Sequence, residues 1–332
     1  ILIKYGVKKG DRVMLMLHRV PEWWVFVIAL IKLGAVFCPA PTMLTAKDLQ
    51  YRVNAGKFEF IITDIENADK VEKICRFCPT LKHRMLVDGE LQNWISYQYE
   101  LFYPAPVSRS AISMPVTQKT HATDPMLIYF TSGTTGEPKM VLHNHSHPLG
   151  HIVTARLWQD LNSNDLHFTS SDTGWAKCGW GKIFGQWIVG ACVFVYDARG
   201  KFKATELLPL IEKYEISTFC CPPTIYRMLI IADLAKYDLR SLRTGIMAGS
   251  PCPIDTMKEV STKMHMSEVV IVYGQTETSP GVTMTTTRDP IDKRVATVGR
   301  VFPHTEIKII DPETKKVVPR GEIGEICARG YM

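Results

Sequence analysis

No stretch of this chain is apolar for long enough to cross a lipid bilayer. The most apolar segment near its beginning, residues 23–33, is interrupted by Lys32 and follows Pro21 and Glu22. A membrane-spanning helix needs roughly 20 apolar residues, so this shorter segment predicts a buried helix. Internal repeats and low-complexity tracts are also lacking. We therefore expect a globular protein without a membrane span or a repeat architecture.

Clustered positive charge is a second feature that the sequence lacks. Its net charge of +6 is mild, and the lysines and arginines are scattered along the chain. Nucleic-acid-binding proteins concentrate such residues on one face or along one helix, so we expect no nucleic-acid partner. The sequence leaves the oligomeric state open.

The nine cysteines lack the regular spacing of a disulfide framework. Several lie among apolar neighbours, which is typical of reduced, buried thiols in an intracellular protein. Cys75 and Cys78 form a lone C-x-x-C pair, and nothing nearby completes a four-ligand set. His143, His145 and His147 alternate, but no acidic or cysteine partner is close in sequence. A metal site at either place is therefore the less favoured alternative.

These features favour a cytoplasmic protein, with the mitochondrial matrix as the alternative if the source is eukaryotic. The first residue of the chain is isoleucine and not methionine. We therefore expect an N-terminal segment to be missing, which leaves targeting signals undecided.

Strand and helix patterns alternate along most of the chain. A buried strand over residues 11–17, for example, precedes a helix over residues 21–33, and a strand over residues 59–63 precedes a helix over residues 67–78. This alternation predicts an α/β fold in which helices flank mostly parallel sheets. After residue 281 short alternating strands and turns predict a small antiparallel or barrel-like unit. We therefore divide the chain into an α/β body, residues 1–281, and a small β-rich subdomain, residues 282–332.

A loop rich in glycine and hydroxyl groups follows a short apolar strand over residues 126–130. Its characteristic residues are Thr131, Ser132, Gly133, Thr134, Thr135, Gly136 and Lys139. Glycine permits tight turns, backbone N–H groups and hydroxyls donate hydrogen bonds to anions, and lysine supplies positive charge. The loop therefore predicts binding of nucleotide phosphates. It differs from the loop of P-loop NTPases, because Met140 stands where those proteins carry the hydroxyl residue that binds magnesium.

A second motif follows another predicted buried strand and consists of Tyr273, Gly274, Gln275, Thr276 and Glu277. Parallel sheets bind ligands at the carboxyl ends of their strands. An aromatic ring followed by glycine can stack on a flat base, and a carboxylate can hold magnesium. A further strand ends in the small residues Gly249, Ser250 and Pro251, which can form a wall against the same base.

Together these motifs resemble the signatures of the adenylate-forming enzymes, which comprise acyl-CoA synthetases, nonribosomal adenylation domains and luciferases. The resemblance implies that the loop and Lys139 hold the β- and γ-phosphates of ATP. It also implies that Tyr273 stacks on adenine, that Thr276 contacts the α-phosphate, and that Glu277 binds Mg²⁺ together with Thr134. The turn at residues 249–251 would line the adenine pocket, although medium-chain members usually carry an acidic residue where Ser250 stands.

Two further segments, residues 172–181 and residues 221–227, resemble the medium-chain acyl-CoA synthetases. The resemblance assigns Gly174 and Trp175 of one segment, and Thr224 of the other, to the acyl pocket. Trp180 belongs either to that pocket or to the core. From Ser241 onward the sequence resembles a different branch of acyl-CoA synthetases, so we hypothesise a join between two sequences near that residue.

The resemblance implies an AMP-forming ligase of fatty-acid metabolism that uses ATP, Mg²⁺ and coenzyme A. It would activate a short- to medium-chain fatty acid, with Thr134, Lys139 and Glu277 as the catalytic residues. Two alternatives stay open: an adenylation domain that loads a carrier protein, and a catalytically incomplete nucleotide-binding fragment. Family members continue with a ribose-binding aspartate and a lid domain that carries a catalytic lysine. We expect these to lie beyond Met332, and we expect residues 1–332 alone to be impaired.

Overall fold

The computed structural model describes residues 1–103, 117–132, 136–200, 203–266, 268–278 and 281–330. The chain divides into two compact units. Unit 1 comprises Ile1–Ser146 and Asp172–Ala176, and unit 2 comprises His147–Ser171 and Lys177–Met332. Each unit is built on its own mainly parallel β-sheet.

Within the described residues, the sheet of unit 1 contains seven strands. They are β1 (Arg12–Met16), β2 (Val36–Pro39), β3 (Phe60–Thr63), β4 (His83–Leu86), β5 (Ile95–Ser96), β6 (Pro125–Thr131) and β7 (Lys139–Asn144). Their spatial order is β5-β4-β3-β1-β2-β6-β7, and each neighbouring pair is parallel except the antiparallel pair of β6 and β7. The helices of this part of the chain are α1 (Pro21–Leu33), α2 (Ala46–Gly56), α3 (Ile65–Ile74) and α4 (Tyr97–Phe102).

The central strands of this sheet are apolar along their whole length. Every residue of β2 and of β3 is buried, because a parallel sheet is covered on both faces. The helix α2 begins where Thr45 and Asp48 form a capping box: the Thr45 hydroxyl accepts the Asp48 N–H, and the Asp48 carboxylate accepts the Thr45 N–H. Leu49 and Val53 of α2 then pack into the apolar core of unit 1.

The described part of unit 2 contains a second seven-stranded sheet, in the order β14-β13-β12-β11-β10-β8-β9. Its strands are β8 (Leu166–Thr169), β9 (Cys192–Phe194), β10 (Thr218–Cys221), β11 (Thr244–Ala248), β12 (Glu268–Tyr273), β13 (Thr283–Met284) and β14 (Arg300–Val301). Strands β13 and β14 are antiparallel to their neighbours, and the other pairs are parallel. Two more strands, β15 (Glu306–Ile310) and β16 (Glu325–Arg329), form an antiparallel sheet of their own.

The remaining helices begin with α5 (His147–Val153), which a π-helical turn at Thr154–Trp158 extends. They continue with α6 (Ala176–Lys182), α7 (Phe184–Ile188), α8 (Leu207–Tyr214), α9 (Pro223–Ile230), α10 (Ile254–Lys263) and α11 (Ile291–Ala296). One large cluster forms the core under β10 and β11, where Leu207 and Ile211 of α8 pack with Phe219 and with Met257 of α10. None of the helices in the described parts of the chain is long and apolar enough to span a bilayer.

The predicted α/β class with mostly parallel, helix-flanked sheets is confirmed. The helix expected over residues 67–78 begins earlier, at Ile65, because the Asp64 side chain accepts the Asn67 N–H and caps it. Strands β13 and β14 extend the sheet of unit 2, and β15 with β16 is the separate antiparallel sheet among the described residues. The division of the chain at residue 281 stays a prediction.

Candidate active site

A cavity of 840 Å³ opens at the carboxyl ends of β11 and β12 in unit 2. These strands are parallel neighbours, with Ala248 facing Val272, so the segments that follow them leave the sheet side by side. The cavity is lined by residues 249–252, 271–275 and 295–298. Its volume lies within the roughly 300–1,000 Å³ that is typical of small-molecule sites.

Two of the sequence motifs meet in this cavity. The turn after β11 contributes Gly249, Ser250 and Pro251, and the end of β12 contributes Tyr273, Gly274 and Gln275. Gly249 has φ of +103°, a conformation that glycine adopts without strain and that turns the chain directly after the strand. Tyr273 is half-buried as the last residue of β12. The structure thus brings together six residues that the sequence analysis assigned to ATP, whereas their binding of ATP stays a prediction.

Thr276 and Glu277 lie just after the cavity wall, on a single 3-10 turn over Thr276–Thr278. The Gln275 backbone N–H donates to the Thr278 hydroxyl at 3.0 Å, which closes this turn. The Glu277 side chain is exposed and Thr276 is half-buried. The carboxylate of Glu277, on the turn that follows Tyr273, is therefore accessible to solvent and to ions.

Part of the cavity wall was missed by the sequence analysis. Cys252 is 5% exposed, and its sulfur lies 3.1 Å from the sulfur of Met247. Burial raises the pKa of this thiol to about 11, so it lines the cavity as a neutral group. Residues 295–298, at the end of α11, form the other missed wall. The small residues Ala296 and Thr297 before Gly299 were the only available signal in the sequence.

The predicted phosphate loop is the connection of a β-hairpin in unit 1. Strand β6 ends at Thr131, β7 begins at Lys139, and these two residues face each other across the antiparallel pair. Thr131 is half-buried, whereas Ser132, Gly136 and Lys139 are exposed. Gly133, Thr134 and Thr135 lie outside the described residues. A strand, β7, follows the loop, and the donors that the loop residues can offer to an anion are backbone N–H groups, hydroxyls and the lysine.

The helix α2 contacts strand β6 and the end of the loop that precedes β7. The Tyr51 hydroxyl donates to the backbone carbonyl of Pro138 at 3.1 Å. The Arg52 guanidinium lies 5.1 Å from the ring centroid of Phe130, which is within range of a cation–π contact. The sequence analysis gave neither residue a role, because their partners are distant in sequence.

The residues assigned to the acyl pocket lie in both units. Gly174 and Trp175 belong to unit 1, and Thr224 is exposed in the first turn of α9 in unit 2. Gly174 is buried, whereas the Trp175 side chain is 51% exposed. Trp180 is buried, and its ring centroid lies 5.1 Å from that of Trp158. Of the two alternatives for Trp180, the structure supports the core.

The structure gives no support for the two metal sites that the sequence analysis considered, the C-x-x-C pair and the alternating histidines. Among the described residues, no group of three or more histidine, cysteine or acidic side chains is arranged to hold a metal ion. His143 is buried on β7 with its ring 6.0 Å from that of Tyr129. All nine cysteines are free thiols.

The family model described as AMP-binding enzyme matches residues 1–332. The chain belongs to the AMP-binding enzyme family. This AMP-binding chain is 38% identical over 328 residues to human acyl-coenzyme A synthetase ACSM4, mitochondrial, and the match covers 98% of the chain and 54% of that relative. It is 35% identical over 326 residues to human acyl-coenzyme A synthetase ACSM5, mitochondrial, again covering 98% of the chain and 54% of the relative.

The AMP-binding chain thus spans about half the length of the curated relatives that it matches. The match to ACSM4 runs through Ser241, and the join hypothesised there stays a prediction. Among solved structures, the chain superposes on the anthranilate CoA ligase AuaEII in complex with anthranoyl-AMP with a TM-score of 0.88 at 25% identity, covering 99% of this chain and 62% of that one. The N-terminal domain of FACL13 from Mycobacterium tuberculosis gives a TM-score of 0.86 at 23% identity, with 99% and 78% coverage, and shows the same fold.

Proposed function

We propose that the protein activates a carboxylic acid with ATP, giving acyl-AMP and pyrophosphate, and then transfers the acyl group to coenzyme A. The observation that carries this proposal is the 840 Å³ cavity at the ends of β11 and β12, which the small-residue turn and Tyr273 line together. The family match supports an adenylate site. The relatives named acyl-coenzyme A synthetases support the thioester as the product.

The two steps of this reaction need positioning more than covalent catalysis by the protein. In the first step a carboxylate oxygen attacks the α-phosphorus of ATP, and the bond from that phosphorus to the oxygen of pyrophosphate breaks. In the second step the sulfur of coenzyme A attacks the acyl carbon, the bond to the AMP oxygen breaks, and the thiol proton passes to solvent. The protein contributes alignment of the reactants and neutralisation of the phosphate charge.

In this proposal each motif binds a different part of the nucleotide. Tyr273 stacks on adenine against the wall that Gly249, Ser250 and Pro251 form, with Gly274 and Gln275 beside it. Thr276 contacts the α-phosphate. Lys139 neutralises the β- and γ-phosphates, which the loop residues bind through backbone and hydroxyl groups; these residues are Thr131, Ser132, Gly133, Thr134, Thr135 and Gly136. The exposure of Ser132, Gly136 and Lys139 supports this role, because groups that bind a ligand must be accessible.

The donor chemistry at Glu277 fits Mg²⁺. This ion is usually held by one or two carboxylates together with phosphate oxygens, and Glu277 offers an exposed carboxylate next to the nucleotide cavity. When bound, the ion would stabilise the negative charge that develops on the phosphates during the attack. Glu277 and Thr134 would hold it in this proposal.

A short- to medium-chain fatty acid is the proposed substrate. Trp175 offers a large apolar surface that is half exposed, and Gly174 and Thr224 complete the acyl pocket in this proposal. The curated relatives are named as mitochondrial enzymes, which supports a mitochondrial location.

Two assays on the protein at its native length test the proposal. Exchange of labelled pyrophosphate into ATP should depend on added fatty acid, and the acyl group should appear on coenzyme A once the thiol is supplied. Release of ADP instead of AMP would contradict the adenylate chemistry. Exchange without acyl-CoA formation would favour a carrier-protein-loading domain. ATP binding without exchange would favour the catalytically incomplete fragment.

A further inference from the structure

The segment Asp172–Ala176 is held by unit 1, although the chain on both sides of it belongs to unit 2. It carries Gly174 and Trp175 of the proposed acyl pocket. The Trp175 side chain is 51% exposed, so packing around the indole does not by itself fix its position. Its placement must come largely from the backbone of the segment and from what that backbone binds.

Thr173 attaches the segment to the loop that follows β1. Its side chain is fully buried, and its hydroxyl donates a hydrogen bond to the backbone carbonyl of Leu17. A buried hydroxyl needs such a partner, since leaving it or the carbonyl unpaired costs about 1–3 kcal/mol. The bond therefore ties the residue two positions before Trp175 to the end of the sheet of unit 1.

Asp172 and Arg19 form a second attachment to the same loop. The Arg19 guanidinium lies 3.3 Å from one carboxylate oxygen of Asp172, and both side chains are mostly buried. The other oxygen of Asp172 accepts the Gly174 N–H at 3.1 Å, and its backbone carbonyl accepts the Trp175 N–H at 3.3 Å. Asp172 therefore both closes a tight turn and orients that turn on Arg19.

Gly174 lies directly against the backbone that follows β2. A Cβ added at this position would lie 2.0 Å from the backbone nitrogen of Pro41, so only glycine allows the approach. The loop after β1, which contains His18, is held in place by Asp64 after β3. Asp64 accepts the His18 N–H at 3.1 Å and pairs with the His18 ring at 2.6 Å. The turn therefore contacts the segments that follow β1 and β2, and the segment after β1 is held by Asp64 after the neighbouring strand β3.

We propose that Thr173 and Arg19 are positioning residues that fix Trp175 and thereby set which acids the enzyme accepts. This inference rests on the proposed function, because it names the residues that control the acyl side of that site. Neither residue touches the substrate in this proposal. A shift of the turn would move the indole and change the acyl pocket while leaving the nucleotide cavity of unit 2 as it is.

The first test is kinetic and uses the protein at its native length with straight-chain acids of increasing length. Thr173→Val removes the hydroxyl at nearly constant volume, and Thr173→Ser restores it. We expect Thr173→Val to change the ratio of kcat/KM between the longest and shortest accepted acids by about tenfold or more, with the KM for ATP within about twofold of normal. Thr173→Ser should keep the normal ratio. Thr80→Val is the matched control, because the Thr80 hydroxyl also donates to a backbone carbonyl of unit 1, that of Phe58, at 3.1 Å.

Asp172→Asn separates the two functions of Asp172. The amide oxygen can still accept the Gly174 N–H, whereas the charge that pairs with Arg19 is lost. We expect Asp172→Asn and Arg19→Met to shift acid selectivity in the same direction as Thr173→Val. Arg19→Lys should restore most of the normal selectivity through its charge.

The second test does not depend on activity. With 5-fluorotryptophan incorporated, the seven tryptophans give fluorine NMR signals, and loss of one signal in Trp175→Phe assigns Trp175. This signal should move or broaden in Thr173→Val and stay in place in Thr173→Ser and Thr80→Val. An unmoved signal in Thr173→Val would overturn the positioning role. A moved signal with unchanged acid selectivity, or equal losses for all acids and for ATP, would overturn the control of selectivity.

Failure of the proposed function can be distinguished from failure of the positioning role. It would appear as absence of acid-dependent exchange in the unsubstituted protein, which would remove the selectivity claim as well. The fluorine signals would then still report whether Thr173 and Arg19 fix the position of Trp175.

Discussion

Tyr273 ends β12 on the wall of the 840 Å³ cavity with its side chain half-buried. Stacking of a base on an aromatic ring contributes about 1–3 kcal/mol, so we expect Tyr273→Ala to weaken ATP binding by about 5- to 150-fold. Tyr273→Phe keeps the ring and should bind within about threefold of normal, a difference below 1 kcal/mol. Calorimetric titration with a non-hydrolysable ATP analogue measures both. An equal loss in the two variants would assign the effect to the hydroxyl and reject stacking.

Glu277 is the exposed carboxylate of the turn that follows Tyr273. We expect Glu277→Ala to lower acyl-AMP formation by about 100-fold or more, because in the proposed function Glu277 would hold the Mg²⁺ that neutralises the phosphate charge. The Mg²⁺ concentration needed for half-maximal exchange should rise in the same variant. Glu259→Ala is the control, since Glu259 forms a surface pair with Lys263 on α10 of the same unit. Unchanged adenylation in Glu277→Ala would remove this residue from the site.

Residues of the cavity at the ends of β11 and β12 were predictable where a local motif contains them. Gly249 and Tyr273 each sit directly after a buried strand, and the strand, the turn and the side chain are all visible in a short stretch of sequence. Residues 295–298 were not predicted, because they become part of the cavity only when α11 packs beside the sheet. A wall that distant segments build together leaves no local pattern.

Among the elements, β7 shows why half-exposed strands are hard to predict. Its first two residues, Lys139 and Met140, are exposed, and its only fully buried residue is His143. Neither strict alternation nor a continuous apolar run is present, so the sequence analysis found the loop and the strand before it but not the strand after it. The fully buried strand β3 was predicted, because a covered parallel sheet requires uninterrupted apolar residues.

The contact between α2 and the β6–β7 hairpin predicts that Tyr51 helps to position the loop. Tyr51→Phe removes the hydrogen bond to the Pro138 carbonyl and keeps the ring. A typical hydrogen bond contributes about 0.5–1.5 kcal/mol, so we expect the KM for ATP to rise by about two- to tenfold through loss of loop positioning. The KM for the fatty acid should stay unchanged. Steady-state kinetics with each substrate varied in turn decide this, and a rise confined to the acid would contradict it.

For the whole molecule, His167 links stability to pH. This fully buried side chain on β8 pairs with the hydroxyls of Thr218 and Thr169, both at 2.8 Å. Burial lowers its pKa to about 3. Between pH 6.5 and 3 the unfolded chain binds a proton that the folded chain does not, so stability falls as the pH falls through this range. A single such group changes the free energy of unfolding by about 1.4 kcal/mol per pH unit.

The comparison variant is His167→Gln, which keeps hydrogen-bonding groups and does not titrate. Urea unfolding at pH 7.5, 6.5 and 5.5 gives the free energy of unfolding of both proteins. From pH 6.5 to 5.5 the unsubstituted protein should lose about 1 kcal/mol more than the variant. Parallel curves over this range would show that His167 is not kept neutral by the fold.

The class of the whole molecule was predictable, whereas its division into units was not. Strand and helix patterns repeat locally, and each one points to an α/β sheet. The assignment of Asp172–Ala176 to unit 1 depends on contacts with Leu17, Arg19 and Pro41, which lie far away in sequence. Only the folded chain shows that a segment crosses from one unit to the other.

The β6–β7 hairpin restricts the number of residues that the predicted phosphate loop can contain. Thr131 and Lys139 are paired residues of two antiparallel strands, so residues 132–138 begin and end at one fixed point of the sheet. In a hairpin the length of the loop sets which residues of the two strands pair, so extra or fewer residues between them would disturb the register of β6 and β7. We therefore expect the loop of another family member to replace residues 132–138 only where it has the same number of residues.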